Sequence, residues 1–240
     1  MNILEDSASS RLKIAGKIND GEIVILPSNG VYTLNTNIFN EETIEKIYML
    51  KKRDMDNPLG VLVKDYEMAK SLMDIPMMSE QELQIIETLI TEFWPGLLTI
   101  VVKTHLKNSL FTANSYISME TSSHASVKNI MNEINKPIIT TSANINKKTS
   151  CTHINHVKNY FSKIKCITAL VGPENPKYGI ENTIVKIVDN SLHILRPGII
   201  TKSAIEEVLN NKSLSYTICR NEDKSHGVAS EHYGIDKKCL

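Results

Sequence analysis

Four short segments of this 240-residue chain set polar or cationic side chains beside apolar runs. LPSNGVYTL carries Ser28, Asn29 and Gly30, and KKRDMDNPL carries Lys51 and Arg53. PIITTSANINKK carries Thr141, Ser142 and Asn144, and LHILRPG sets Arg196 ahead of Pro197 and Gly198. Arg offers a rigid fork of donors and Lys a mobile point charge, so the two can converge on phosphate. Hydroxyls and amides gathered at one strand edge suit a ribose, a phosphate or a small polar ligand. Gly30 would let a ligand approach the backbone. Each segment alone also has an ordinary explanation as a turn or as positive charge closing a helix dipole. Together they point to an anion- or nucleotide-binding α/β domain.

Other chemistries lose their usual support. The chain has no GxxxxGK[ST], HExxH or GxSxG segment, the signatures of P-loop, zincin and serine-hydrolase sites. Cys151, His153 and His156 stand close together without a CxxC pair, so no metal site is expected there. Lys plus Arg number 27 and Asp plus Glu 27, which argues against a basic coat for nonspecific nucleic-acid binding. No apolar run approaches the roughly 20 residues of a membrane span, the start lacks the order of a secretory signal, and four scattered cysteines make no disulfide framework. A cytoplasmic protein without a membrane partner is the expectation.

The elements that must position these groups follow from pattern. EIVILP, LGVLV, LLTIVV, YISME, IITT, CITAL, NTIVKIV and LHILR read as strands. Helices are expected around residues 11–18, over EETIEKIYMLKKR behind an Asn40 cap, and after a Ser79/Glu82 capping box. Others fall over 125–134, 153–161 and 203–209. Adjacent strands such as NTIVKIV and LHILR suggest hairpins, so a mixed twisted sheet with flanking helices is expected rather than a doubly wound one. The body should occupy residues 1–210, with 211–240 as a polar, linker-like tail.

In combination, LPSNGVYTL, KKRDMDNPL, FWPGLLTIVV, PIITTSANINKK, GIENTIVKI and LHILRPG resemble, in order, the YrdC-like family of threonylcarbamoyl-AMP synthases. The resemblance covers roughly residues 12–209. It implies an α/β fold around a large concave cavity. It also implies a reaction in which L-threonine, bicarbonate and ATP, with magnesium, give threonylcarbamoyl-adenylate and pyrophosphate. The product would feed the machinery that threonylcarbamoylates tRNA. By resemblance Ser28 helps hold threonine, Tyr32 lies on the same cavity wall, and Lys51 and Arg53 contact ATP phosphates. Ser142 and Asn144 match nucleotide-binding positions of the SAN segment. Thr141 just before it and Asn182, in the place of a Ser, are expected to bind the substrate, and Arg196 is the basic residue of RPG. The tail SHGVASEHYGIDKKCL is similar to the interdomain linker of longer members, which would make His232 and Tyr233 a lid.

The sequence also departs from the family pattern. Gly30 lacks a hydroxyl, Asp54 replaces a Pro, and Glu120 with Ser122 replaces an Arg–x–Pro pair. Asp54 and Glu120 would put negative charge near a phosphate site, while Lys147 and Lys148 would offset it. A second reading is therefore a catalytically degraded member that binds nucleotide or double-stranded RNA. A third is carbamoyl-adenylate chemistry on another acceptor.

Overall fold

The computed structural model describes residues 1–172, 175–214 and 216–220. In chain order the elements are β1 (Asn2–Glu5), α1 (Ala8–Asn19), β2 (Ile23–Pro27), β3 (Tyr32–Asn37), α2 (Glu41–Lys51), β4 (Gly60–Leu62), α3 (Tyr66–Lys70) and α4 (Glu80–Phe93). There follow β5 (Leu98–Lys103), β6 (Thr112–Ala113), β7 (Tyr116–Glu120), α5 (Ala125–Ile134), β8 (Ile138–Ser142) and α6 (Ile154–Phe161). The last are β9 (Ile167–Val171), β10 (Thr183–Val188), β11 (Ser191–Arg196), α7 (Lys202–Asn210) and β12 (Thr217–Arg220).

Local signals act where expected. Asn40 accepts from the Thr43 N–H at 3.0 Å to cap α2. Ser79 and Glu82 form both halves of the capping box that starts α4. β10 and β11 form the anticipated antiparallel pair. Four strands went unread: β1, β3, the two-residue β6, and β12. β1 pairs in parallel with β9 at a sheet edge, and β3 carries the polar alternation YTLNTN, which lacks the apolar run of a buried strand. Past residue 210, β12 returns to pair in parallel with β11. His232 and Tyr233 lie outside the described residues.

All the described strands join one mixed sheet in the order β1-β9-β2-β3-β8-β4-β7-β5-β10-β11-β12, with β6 beside β7. Side chains alternate between the faces, so each strand serves two layers. One face packs against α2, α4, α6 and α7 through Ile47, Leu89, Phe161 and Leu209. The other face holds α1 and α5, whose Ile14, Ile18, Ile130 and Ile134 meet Val24, Leu62 and Ile138. Those two helices cover only part of that face. Further along it come Thr33, Thr140, Gly60, Ser118 and Thr99, which line a cavity instead of a helix. No helix among the described residues is long and apolar enough to cross a membrane.

Leu89 is fully buried in the larger core. Leu89→Ala should cost about 2–5 kcal/mol of stability, and Ser79→Ala about 1 kcal/mol, as read from urea unfolding. A Leu89→Ala midpoint equal to that of the parent chain would contradict the placement of α4.

Candidate active site

The cavity has a volume of about 350 Å³ and is lined from β3 across to β11. Its floor is the row of small and hydroxyl-bearing residues on the half-covered sheet face. Its rim comes from the turn after β2, the end of α2, the loop after β8, and the segments leading into β10 and out of β11. Ser28, Lys51, Arg53, Thr141, Ser142, Asn144, Asn182 and Arg196 all line it, so the four sequence segments meet at one place.

Lys51 organises one wall. It ends α2 and is only 1% exposed, with its ammonium turned inward. Nζ donates to the Ser142 carbonyl, to the Asn144 carbonyl at 3.0 Å and to Asn144 Oδ1 at 2.9 Å. The Lys51 carbonyl in turn accepts from the Asn146 N–H at 2.7 Å. Asn144 closes the loop by donating to the Lys148 carbonyl at 2.5 Å. One residue thus ties the loop of residues 142–148 to the helix end through both its side chain and its backbone. Burial, and then the nearby Arg53 charge, bring its amine down to about 7.

Arg53 reaches the site through a helix-ending turn. Lys52 adopts φ 50°, and the Arg53 N–H bonds the Tyr48 carbonyl at 3.0 Å, the long bond of a Schellman-type stop. Its guanidinium donates to the Asn57 carbonyl and Oδ1, both at 2.8 Å, and to the Pro58 carbonyl at 3.0 Å. Asp54 does not line the cavity. Its carboxylate accepts from the Asp56 N–H at 3.1 Å within an exposed turn. The expectation that Asp54 would oppose a bound anion is therefore corrected.

Tyr32 also differs from expectation. It precedes Thr33, which lines the cavity, and strand alternation sends its ring to the opposite face, fully buried in the larger core. Its hydroxyl donates to Asn175 at 3.4 Å, and burial pushes it up to about 12. Ser28 does line the cavity, but its hydroxyl is donated to the Val31 carbonyl at 2.6 Å within the turn. Asn29 pins that turn to the start of α5, accepting from Ser122 Oγ and the His124 N–H, each at 3.0 Å. Gly30 has a structural reason: a Cβ there would lie 2.1 Å from the Ile180 carbonyl oxygen. Cys151 is buried in the core and His153 caps α6 by accepting from the Asn155 N–H at 3.2 Å.

The remaining wall joins the ends of β5, β7, β10 and β11. A register shift between Ile184 and Val185 sets Arg196 opposite Ile184, on the cavity face, while Ile194 faces the core. Such a bulge re-aims a side chain in this way. Arg196 forms an ion pair with Glu181 and donates to the Asn182 carbonyl at 2.8 and 3.1 Å. Burial alone would raise the Glu181 carboxyl. Arg196, hydrogen bonds from Ser150 and Ser142, and Lys51 together hold it below its usual value. Glu120 accepts from Thr99 at 2.7 Å and from Asn182 at 2.8 Å, and burial raises its carboxyl. Reading the sequence missed Glu181, Thr99, Ser118 and Ser150. Glu181 sits within the quoted GIENTIVKI segment, one residue before Asn182, where a carboxylate beside a cation was available as a signal.

A family model named for Sua5, YciO and YrdC and described as "Telomere recombination" matches residues 16–198. The chain belongs to this family. It is 28% identical over 240 residues to the threonylcarbamoyl-AMP synthase of Pyrococcus abyssi, covering 97% of this chain and 68% of that one. To the threonylcarbamoyl-AMP synthase of Bacillus subtilis it is 29% identical over 224 residues, covering 91% and 62%. Its structure is similar to that of P. abyssi Sua5 complexed with L-threonine, with TM-score 0.79 and 25% identity over 91% of this chain and 62% of that one. Escherichia coli YciO shares the fold at TM-score 0.69 and 12% identity, over 82% of this chain and 95% of that one. The chain thus spans about two thirds of the length of the P. abyssi and B. subtilis relatives. The expected mixed α/β architecture around a concave cavity is the one found.

Lys51 yields a signed pH prediction. Its amine titrates at about 7 in the folded chain against 10.5 as the ordinary value. Between these values the unfolded chain binds more protons, so stability rises with pH across that window. The stability difference between the parent chain and Lys51→Met should therefore shift in the parent's favour from pH 7 to pH 9.5, as measured by denaturant unfolding. A difference independent of pH would refute the assignment.

Proposed function

We propose that the chain is an L-threonylcarbamoyladenylate synthase, using ATP, L-threonine and bicarbonate and releasing pyrophosphate. The observation that carries this reading is the convergence of Lys51, Arg53, Arg196 and the 142–148 loop on a single cavity of about 350 Å³. Five of its lining residues are cations (Lys51, Arg53, Lys147, Lys148, Arg196) and two are carboxylates (Glu120, Glu181). That balance suits a polyanion beside a smaller polar substrate.

In this mechanism the work of the protein is positioning and electrostatic stabilisation. Bicarbonate gives carbon dioxide and hydroxide, and the hydroxide takes a proton from the threonine ammonium to form water. The neutral amine adds to carbon dioxide and loses a second proton to solvent. An oxygen of the resulting carbamate then attacks the α-phosphorus of ATP as pyrophosphate leaves. Negative charges must be brought together, and low-dielectric walls strengthen each cation that offsets them. Lys51 holds the loop in shape and adds its own charge when a polyanion raises its affinity for a proton. Arg53, Lys147 and Lys148 serve the phosphates, and Arg196 keeps the Glu181–Asn182 segment in place. Ser28, Thr141, Ser142 and Asn144 line the space for the nucleotide and the amino acid.

Magnesium would enter with ATP as the counter-ion of its phosphates. The described residues contain no group of three His, Cys, Asp or Glu side chains able to hold a metal, and Glu181 is already paired with Arg196. No resident magnesium site is therefore assigned. The product would pass to the tRNA-modifying transferase machinery in the cytoplasm. Residues 1–210 would form the catalytic body, with 211–240 as an appended segment that begins by docking β12.

Incubation of the full chain with ATP–magnesium, L-threonine and bicarbonate should release pyrophosphate and form the adenylate, detected by mass spectrometry. Lys51→Ala should lower the rate roughly a hundredfold or more, in line with loss of one preorganised charge. ATP binding without pyrophosphate would favour the noncatalytic nucleotide-binding reading instead.

A further inference from the structure

Glu120 stands apart from the other charged groups of the cavity. Glu181 is matched by Arg196 and by the Ser150 hydroxyl at 2.5 Å. Arg196, the cation beside this wall, is committed to Glu181 and to the Asn182 carbonyl. Glu120 makes no ion pair among the described residues. Its two hydrogen bonds come from neutral donors, Thr99 Oγ1 and Asn182 Nδ2, and both end on Oε2. Oε1 accepts no bond from the described residues, and Glu120 lines the cavity.

The arrangement around it is built rather than incidental. Glu120 is opposite Thr99 in the β5–β7 ladder, and Thr99 is opposite Ile184 in the β5–β10 ladder, so the carboxylate rests on three paired central strands. Asn182 holds it with the side-chain amide and Arg196 with the backbone carbonyl, which keeps that guanidinium engaged elsewhere. Glu120 and Asn182 are both positions at which the sequence departs from the family pattern, and they are in direct contact. A half-buried carboxylate hydrogen-bonded only by neutral donors, with the Arg196 charge acting on it without direct contact, leaves a position of negative potential on the wall. A ligand cation would neutralise it and gain a charge-assisted hydrogen bond at Oε1. The neighbouring floor of Gly60, Ser118 and Thr140 is small and uncharged, leaving space for a compact polar molecule.

We propose that Glu120, held by Thr99 and Asn182, is the subsite for the primary ammonium group of the acceptor substrate, so that this cavity selects free amines. This deepens the proposed function and rests on it for the identity of the acceptor, although amine recognition is testable without turnover. The polyanion and the amine then occupy separate electrostatic regions of one cavity. An acceptor whose nitrogen is acylated loses the charge and two of the three N–H donors that Glu120 would meet.

Calorimetry with the full chain decides the matter using three probes: L-threonine, L-threoninol and N-acetyl-L-threonine. The first two should bind and the third should bind at least tenfold more weakly. Glu120→Gln keeps the shape of the side chain and should weaken L-threoninol at least tenfold, while ATP affinity stays within twofold. N-acetyl-L-threonine binding as well as L-threonine, no binding of either free amine, or unchanged L-threoninol affinity in Glu120→Gln would each overturn the proposal. If that variant does not fold, the comparison of the three probes on the parent chain still decides. Amine binding without pyrophosphate release would leave this inference standing and remove the synthase reading.

Discussion

Among the described residues two helices, α1 and α5, cover one face of the sheet in part, and the functional surface depends on what they leave open. α1 and α5 meet the sheet over β2, β4, β8 and β9 with aliphatic side chains. Beyond them the same face carries Thr33, Thr140, Gly60, Ser118 and Thr99 along the cavity, and then a small buried cluster of Val101, Tyr116 and Val188. Aliphatic side chains there would leave an exposed apolar floor, whereas hydroxyl groups can bond water or a polar ligand. The opposite face is packed by four helices and supplies the rigidity on which an open cavity can be built. The cavity is thus the uncovered remainder of a two-sided sheet.

Within that frame, a buried lysine and a partly exposed arginine control the rim. Lys51 is held by three oxygens of the 142–148 loop, so the loop cannot take this shape without the end of α2. Arg196 ties the segment before β10 to the end of β11 through Glu181 and Asn182. Gly198 belongs to the same tie, because a Cβ there would lie 2.5 Å from the Thr183 nitrogen and 2.6 Å from the Glu181 carbonyl oxygen. These charges serve shape first and ligand second. Arg196, already satisfied by protein oxygens, presents a fixed field with little reorganisation when substrate arrives, whereas Lys51 gains charge as the polyanion binds.

Much of the local structure was legible because it depends on neighbours in sequence. The Ser79/Glu82 capping box, the α5 span and the β10–β11 hairpin rest on caps, period and turn residues within a few positions. β3 was not legible, since its alternate residues Thr33 and Asn35 are polar and buried beneath the cavity side of the sheet. Tyr32 and Thr33 adjoin in sequence yet serve opposite faces, so a motif containing both could not say which one meets the ligand. Asp54, alarming beside Arg53 in one dimension, turns away in three.

By itself the sequence determined which residues could carry the chemistry and which helices and strands would form around most of them, through periodicity, capping and residue type. It also carried the family likeness. Only the tertiary structure decided which of those groups share a cavity and which partners they keep. It put the ammonium of Lys51, read in the sequence only as a charge at a helix end, against the distant 142–148 loop, and it used a bulge to bring Arg196 to the cavity face. It also left Glu120 with neutral donors while Glu181 took the arginine. Pairings of this kind join residues tens of positions apart, and their energies depend on burial and register that exist only once the sheet has closed.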